Sequence, residues 1–373
     1  MLEQLSGLPL TLLSFVVVLT IVVFVHEFGH FYIARKNGVR CQAFSIGFGP
    51  ELFGFTDKLG TRWKFSLIPL GGYVKMFGEA ETMQAIEGGS NEPRALTAEE
   101  EKVSFKFKTV GQRAAIVFAG PAVNFLFAIA VFWILFMTNG RPVTEPVIGQ
   151  VTEGSAAAEG GLQVNDRVKE INGRAIQRFE DIRSIVPLSD GSPMHLTVER
   201  DGRTQDLTIT PRMTSEDNGM GQQQKRYVLG IAPLAENGKS VVLNPIQALR
   251  ASVSQTYEVV EGTFIAVSQI ISGRRGTEDL GGPIRIAQYS GQMAKSGGVG
   301  FIAFVAILSI NLGLINLFPV PMLDGGHLLF YAIEAVRGRP LSERAQEWGL
   351  RVGLAIVGAL MIFVTGNDIV HLF

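Results

Sequence analysis

Residues 8–34, LPLTLLSFVVVLTIVVFVHEFGHFYIA, decide the fold. From Leu8 to Val25 no residue carries a charge, and His26, Glu27, Gly29 and His30 then follow within the same apolar run. A membrane span needs roughly 20 apolar residues, because the hydrocarbon core is about 30 Å thick and a helix rises about 1.5 Å per residue. A cleaved signal peptide would open with a basic segment and would be shorter. Here Glu3 is the only early charge, so a retained span is expected.

Three further stretches read as spans. Residues 114–140 and 296–323 are uncharged throughout. The fourth, 352–367, is short and reaches full length with Trp348 to Leu350 and a snorkelling Arg351. Of the 373 residues 47% are hydrophobic and 18% are charged, against about 25% charged in ordinary soluble domains. Composition thus excludes a wholly soluble enzyme and a disordered or fibrous chain. The net charge of -1 gives no support to nucleic-acid binding. The single cysteine, Cys41, excludes an intramolecular disulfide framework and any multi-cysteine metal site.

Short flanks set the orientation, since cytoplasmic loops collect Lys and Arg. No Lys or Arg precedes the first span, whereas Arg35, Lys36 and Arg40 follow it. Lys106, Lys108 and Arg113 precede the second span, and Arg337, Arg339, Arg344 and Arg351 lie between the third and the fourth. Residues 35–113 and 324–351 are therefore expected inside, residues 141–295 outside, and both termini outside.

Residues 141–235 read as a small β-rich domain. Strands are expected at Pro146–Val151, Asp166–Ile171, Met194–Arg200 and Thr204–Thr210, with helical spacing at Phe179–Val186. Asn172-Gly173 and Asp201-Gly202 are turn signals, the second within a hairpin. Residues 236–295 read as a connector whose Leu249–Ile271 segment forms an amphipathic helix at the membrane surface. A fifth span there would invert everything after it.

HEFGH at 26–30 places two histidines four apart, on one helix face, where both imidazoles can reach one ion. Glu27 beside them can take a proton from a water that the metal activates. Ionisable residues in an apolar span are expensive and mark function. A catalytic zinc takes three protein ligands and one open position. The HxxGxxH continuation of one zinc-peptidase class is absent, so the third ligand comes from elsewhere. His195 and His371 lie on the outer side. Spans one and three run in the same direction, which brings NLFPVPMLD, residues 316–324, to the depth of the HExxH. Pro319 and Pro321 break the helix there. Asp324, the first charge after residues 296–323, is equally readable as a ligand or as an N-cap to the helix that Gly325-Gly326-His327 opens. His327 is the weaker ligand candidate.

HEFGH at 26–30, FSIGFGP at 44–50, IPLGGYVKM at 68–76, AGPAVNF at 119–125 and NLFPVPMLDGGH at 316–327, in this order, resemble the site-2 protease family of intramembrane zinc metalloproteases, its bacterial regulator-of-sigma-E branch above all. GSAAAEGGLQVNDRVKEINGRAI, residues 154–176, resembles a PDZ domain of the bacterial protease type. The resemblance implies one zinc per chain held by His26, His30 and Asp324, with Glu27 activating water. It implies that Asn316 holds the substrate backbone or the developing oxyanion. It further implies that residues 63–76 form a membrane-associated β-hairpin that pairs with an unwound substrate, Gly71, Gly72, Pro319 and Pro321 contributing. The best-known enterobacterial member of the family carries two tandem PDZ domains, whereas this outer segment has room for one clear copy.

The expectation is therefore a multi-pass α-helical membrane protein: a first span at 1–34, a cytoplasmic β-hairpin region at 35–113, spans at 114–140, 296–323 and 352–373, a periplasmic PDZ domain at 141–235, a connector at 236–295 and a cytoplasmic segment at 324–351. Its expected work, in the bacterial inner membrane, is cleavage of single-span proteins such as an anti-sigma factor after a first extracytoplasmic cut, in an envelope stress response. The active site would face the cytoplasmic side, and the PDZ domain would bind a peptide or exclude substrates by size. The competing readings are a zinc transporter, which would need metal-binding residues along a path and shows one cluster, and a non-proteolytic PDZ scaffold, which would have no need of Glu27.

Overall fold

A computed structural model describes residues 2–78, 96–217, 223–234, 239–274, 276–277 and 280–370. The chain forms two compact units, Met1–Phe132 with Gly281–Val370, and Trp133–Leu280.

The first unit opens with helix α1 (Leu2–Lys36). It stops at Asn37-Gly38, where Gly38 takes φ 69° and Val39 N–H closes on Ala34 O at 2.9 Å. Strands β1 (Cys41–Thr56) and β2 (Arg62–Met76) follow, and both fold back on themselves. Their register resolves four strand segments. Residues 51–56 run antiparallel to 62–66 (Thr56 opposite Arg62, Phe53 opposite Phe65), while 41–46 lies between 62–65 (Phe44 opposite Trp63) and 72–76 (Ile46 opposite Gly72). The expected hairpin of residues 63–76 is therefore replaced: its two arms are separated by the 41–46 segment. The reason is burial. Cys41, Ala43, Phe44, Ser45 and Ile46 are all buried, so this segment takes the centre of the sheet, with both edges paired. Phe44 is stacked on Trp63 at 4.4 Å and meets Phe31 of α1 edge-on at 5.6 Å. Helix α2 (Ala98–Val103) is opened by a Thr97–Glu100 capping box. Helix α3 (Val110–Thr138) begins four residues before the expected span, because Thr109 and Gln112 cap it reciprocally.

The second unit holds β3 (Arg141–Val143), β4 (Ile148–Val151), α4 (Ala156–Glu159), β5 (Arg167–Ile171), β6 (Arg174–Ala175), α5 (Phe179–Ile185), β7 (Met194–Arg200), β8 (Arg203–Ile209), β9 (Arg212–Asp217), β10 (Gln223–Val228), β11 (Ile231–Pro233) and β12 (Lys239–Val241). Among the described residues the main sheet has the order β6-β5-β7-β8, and β4-β11, β3-β12 and β9-β10 form two-stranded pairs. Asp201 and Gly202, at φ 52° and 76°, make the β7–β8 turn with the backbone that a two-residue hairpin demands. Ile148, Ala157, Leu162, Val168, Ile171, Leu196, Val198 and Ile209 form the core. Asp166, fully buried, accepts two hydrogen bonds of 2.6 Å from Arg200. Helix α6 (Pro245–Ile271) is capped by Asn244 and Gln247 and starts four residues before the expected Leu249. Its Glu261 meets Arg174 at 2.9 Å, whereas Ile246, Leu249, Val253, Tyr257, Phe264 and Ile271 are exposed.

The chain returns to the first unit with α7 (Pro283–Ser296), α8 (Gly298–Asn316), α9 (Asp324–Arg337) and α10 (Glu343–Val370). Asp368, at the end of α10, accepts from the main-chain N–H groups of Gly282, Ile284 and Arg285 and so caps α7. The third span, read as 296–323, is helical only to Asn316. Pro319 and Pro321 cannot continue a helix, and Met322 takes φ 88°, a left-handed backbone rare for such a side chain. Among the described residues four helices are long and apolar enough to cross a membrane: Leu8–Lys36, Val110–Thr138, Gly298–Asn316 and Arg344–Val370. Helix α6 is not among them.

Candidate metal centre

The HExxH turn lies on α1 with both histidines buried and Glu27 half-buried. Close helix packing sets its surroundings. A Cβ on Gly29 would collide with Ala119 O of α3, and a Cβ on Gly120 would collide with the His30 ring and come within 3.0 Å of His26 Cε1. Only hydrogen at both positions lets α1 and α3 approach so near. Helix α8 closes from another side, its Gly313 against Asn124 and Pro121 of α3.

Asp324 is brought in by the break between α8 and α9. Its Oδ2 lies 3.2 Å from His26 Nε2 and 3.5 Å from His30 Nε2, and the two imidazole nitrogens are 3.3 Å apart. The three ligand atoms form a group within 4.8 Å of one another. A tetrahedral zinc with ligands about 2.0–2.2 Å away holds them about 3.3–3.5 Å apart, so the triangle has the right size. The chemistry fits as well: two imidazoles and one carboxylate make a familiar catalytic set. Asp324 Oδ2 is buried without a hydrogen-bond partner, as a side chain built to meet an ion would be. The competing role as helix cap is not taken, since α9 has Leu323 at its N-cap and no side-chain cap bond.

The other expected residues sort by distance. Asn316, the last residue of α8, holds its Nδ2 3.3 Å from His26 Nε2. A Cβ on Gly72 would lie 3.2 Å from Glu27 Cγ, so β2 runs directly beside the acid. Gly71, at φ 107°, adjoins Phe48 instead. Pro319 and Pro321 form the loop that leads to Asp324, Pro319 exposed and Pro321 half-buried. His327 lies outside the three-residue group. His195 is on β7 with its Nδ1 3.2 Å from Thr208 Oγ1, and His371 lies outside the described residues.

Three residues at the centre escaped sequence reading. His30 Nδ1 donates to Ile116 O at 2.9 Å, His26 Nδ1 is 3.2 Å from Asn124 Nδ2, and Gly120 lies beneath both rings. The signal was present in AGPAVNF at 119–125, where an amide and a Gly-Pro pair interrupt an otherwise apolar span.

Comparison with known proteins gives a consistent result. The profile of peptidase family M50 matches residues 14–360. A candidate zinc metalloprotease of Agrobacterium fabrum is 44% identical, over 96% of this chain and 95% of its own. One of Rhizobium meliloti is 43% identical over 99% of both chains. The regulator of sigma-E protease of Salmonella typhimurium is 33% identical over 453 aligned positions, covering 96% of this chain and 98% of its own. That alignment is longer than this chain, so the Salmonella protein carries segments that are absent here. Among solved structures, the PDZ domain of a Listeria innocua SdrC-like protein covers 26% of this chain at 17% identity and a TM-score of 0.21, the alignment spanning 99% of that chain. The chain belongs to peptidase family M50 and is a zinc metalloprotease of the site-2 type.

Proposed function

We propose that the chain is an endopeptidase that cuts substrates within the membrane, with His26, His30 and Asp324 as the residues that would hold one zinc. The convergence of these three groups, from helices that the sequence separates by nearly 300 positions, carries the reading. Zinc supplies Lewis acidity: it lowers the pKa of water to about 7 and polarises a carbonyl. Glu27, packed against Gly72 of β2, takes the proton of the attacking water and returns it to the leaving amine. Asn316 Nδ2 donates to the carbonyl oxygen as its charge grows. A helical substrate hides its carbonyls in internal hydrogen bonds and must unwind before cleavage. The 72–76 segment, paired with 41–46 on one side, brings Gly72 beside Glu27, and with Gly71 next to it offers backbone to which an extended substrate adds as a strand. Pro319 and Pro321 keep the opposite loop unwound for the same purpose.

The asymmetry of Lys and Arg supports a site toward the cytoplasmic side and residues 141–235 outside as a PDZ domain, in a bacterial inner membrane in this reading. The exposed apolar stripe of α6 suits the outer membrane surface, Trp133 holding the start of the helix through Pro245 O at 2.9 Å. Single-span proteins already trimmed outside, such as an anti-sigma factor, are the substrates in this reading, the similarity to the Salmonella regulator of sigma-E protease supporting it. The PDZ domain takes a peptide or excludes untrimmed chains by size. The test is metal analysis of the purified protein with cleavage of an anti-sigma span in lipid vesicles, wild type against Glu27→Gln. The variant should keep its zinc and cut nothing. Turnover at the wild-type rate would defeat the mechanism.

A further inference from the structure

An imidazole that offers Nε2 to a metal carries its proton on Nδ1, and that proton needs an acceptor. His30 meets the requirement through Ile116 O at 2.9 Å. His26 faces instead a side-chain amide, that of Asn124, fully buried on the same helix α3. The amide presents Nδ2 to His26 Nδ1 at 3.2 Å, and its Oδ1 is buried without a hydrogen-bond partner. With Nδ1 protonated, two donors would confront each other while an acceptor beside them went unused. Half a turn of the carboxamide exchanges Oδ1 and Nδ2 at almost no steric cost.

We propose that Asn124 is a positioning residue of the metal centre, whose amide turns so that Oδ1 accepts the Nδ1 proton of His26 and holds Nε2 toward the zinc. The inference rests on the assignment of His26 as a ligand. Its surroundings fix the residue whichever way the amide points: Gly313 would touch its Cβ at 3.1 Å if it carried a side chain, and Ser309 donates to its main-chain O at 3.1 Å. Unlike the Ile116 carbonyl, an amide serves both tautomers of its histidine. It donates to Nδ1 without metal and accepts from Nδ1 with it. The same site is therefore free of an unsatisfied donor pair in both states.

Zinc retention against a graded chelator, read by metal analysis of the full chain in detergent, tests this without any assay of cleavage. Asn124→Leu keeps the volume and removes the acceptor, and should release zinc at about 10–100-fold lower chelator concentration, the range typical of lost partners behind a metal ligand. Asn124→Asp can only accept and should hold zinc at least as tightly as the wild type. Zinc binding by Asn124→Leu equal to wild type overturns the proposal, and so does loss in Asn124→Asp as large as in Asn124→Leu, the pattern of a mere packing role. If Asn124→Leu fails to fold, Asn124→Asp decides alone, a tenfold weakening being the adverse result. His26→Ala is the control for the underlying assignment: zinc retained there removes His26 as a ligand, a separate outcome.

Discussion

Gly72 and Glu27 touch: a Cβ built on the glycine would stand 3.2 Å from Glu27 Cγ, 2.8 Å from Val23 Cγ1 and 2.7 Å from Ser45 O. The strand that carries Gly72 and the helix turn that carries the acid are thus one packed contact, with no room for a methyl group. Gly72→Val should push β2 off α1 and shift Glu27 from its place. A misplacement of about 1 Å can cost about 100-fold in rate. The expected result is a fall in kcat of that order with zinc content unchanged, measured by cleavage in vesicles and metal analysis of the same preparation. Unaltered kcat would show that the sheet does not position the acid.

Asp324→Ala separates a ligand from a cap. The carboxylate makes no cap bond to α9, and its Oδ2 faces the two imidazoles. Loss of a cap would lower stability by about 1 kcal/mol with or without metal. Loss of a ligand should leave the metal-free protein about as stable as before and empty the site. Metal analysis paired with thermal unfolding in chelator distinguishes the two, and one zinc per chain in the variant would send the search elsewhere.

What the sequence made legible follows from what each signal needs. Two histidines four apart depend on one helix alone, and four apolar runs depend on length alone, so both could be read without tertiary knowledge. Asp324 required two distant segments to be set at one depth, and there the residues by themselves left ligand and cap equally open until family motifs tipped the balance. The sheet was read in part. Trp63 to Ile68 and Tyr73 to Met76 show alternation, but from Ala43 to Ile46 the chain is buried on both faces, with Ser45 among the apolar residues, and period-2 reasoning does not identify such a central segment. The ends of α8 and α3 were missed for local reasons. Apolar composition continues past Asn316 although Pro319 and Pro321 end the helix, and the Thr109–Gln112 cap is polar and precedes the apolar run. Asn124 was invisible as a functional residue because a lone amide inside a span has many uses until its neighbour is known.

Gly120→Ala tests how near α3 must come. The added carbon would overlap the Nε2 edge of His30, and backbone atoms of α1 lie behind through the Gly29–Ala119 contact. Neither ring can retreat far, since His30 is bound to Ile116 O and His26 to Asn124. The rings should tilt out of the triangle they form with Asp324. The expected outcome is zinc affinity lowered by at least tenfold, read by chelator competition. A stability loss of about 1–3 kcal/mol, typical of overpacking, should accompany it.

Glu334 and Arg113 tie the metal loop to α3 from the other end. Their side chains are 13% and 15% exposed and 2.6 Å apart, with Arg113 also over the Tyr331 ring at 4.9 Å. Breaking a buried pair on one side strands the partner's charge, at about 3–5 kcal/mol. Glu334→Ala should therefore lower the denaturation midpoint well beyond the effect of a surface substitution. Helix α9 begins at Asp324, so freedom at Glu334, three turns along, should also reach the carboxylate. Zinc release from Glu334→Ala by chelator should be faster than from wild type, whereas Arg351→Ala, which breaks an exposed pair with Glu347, should change neither quantity. Equal release rates in all three proteins would show that Pro321 and Met322, not the rest of α9, fix where Asp324 points.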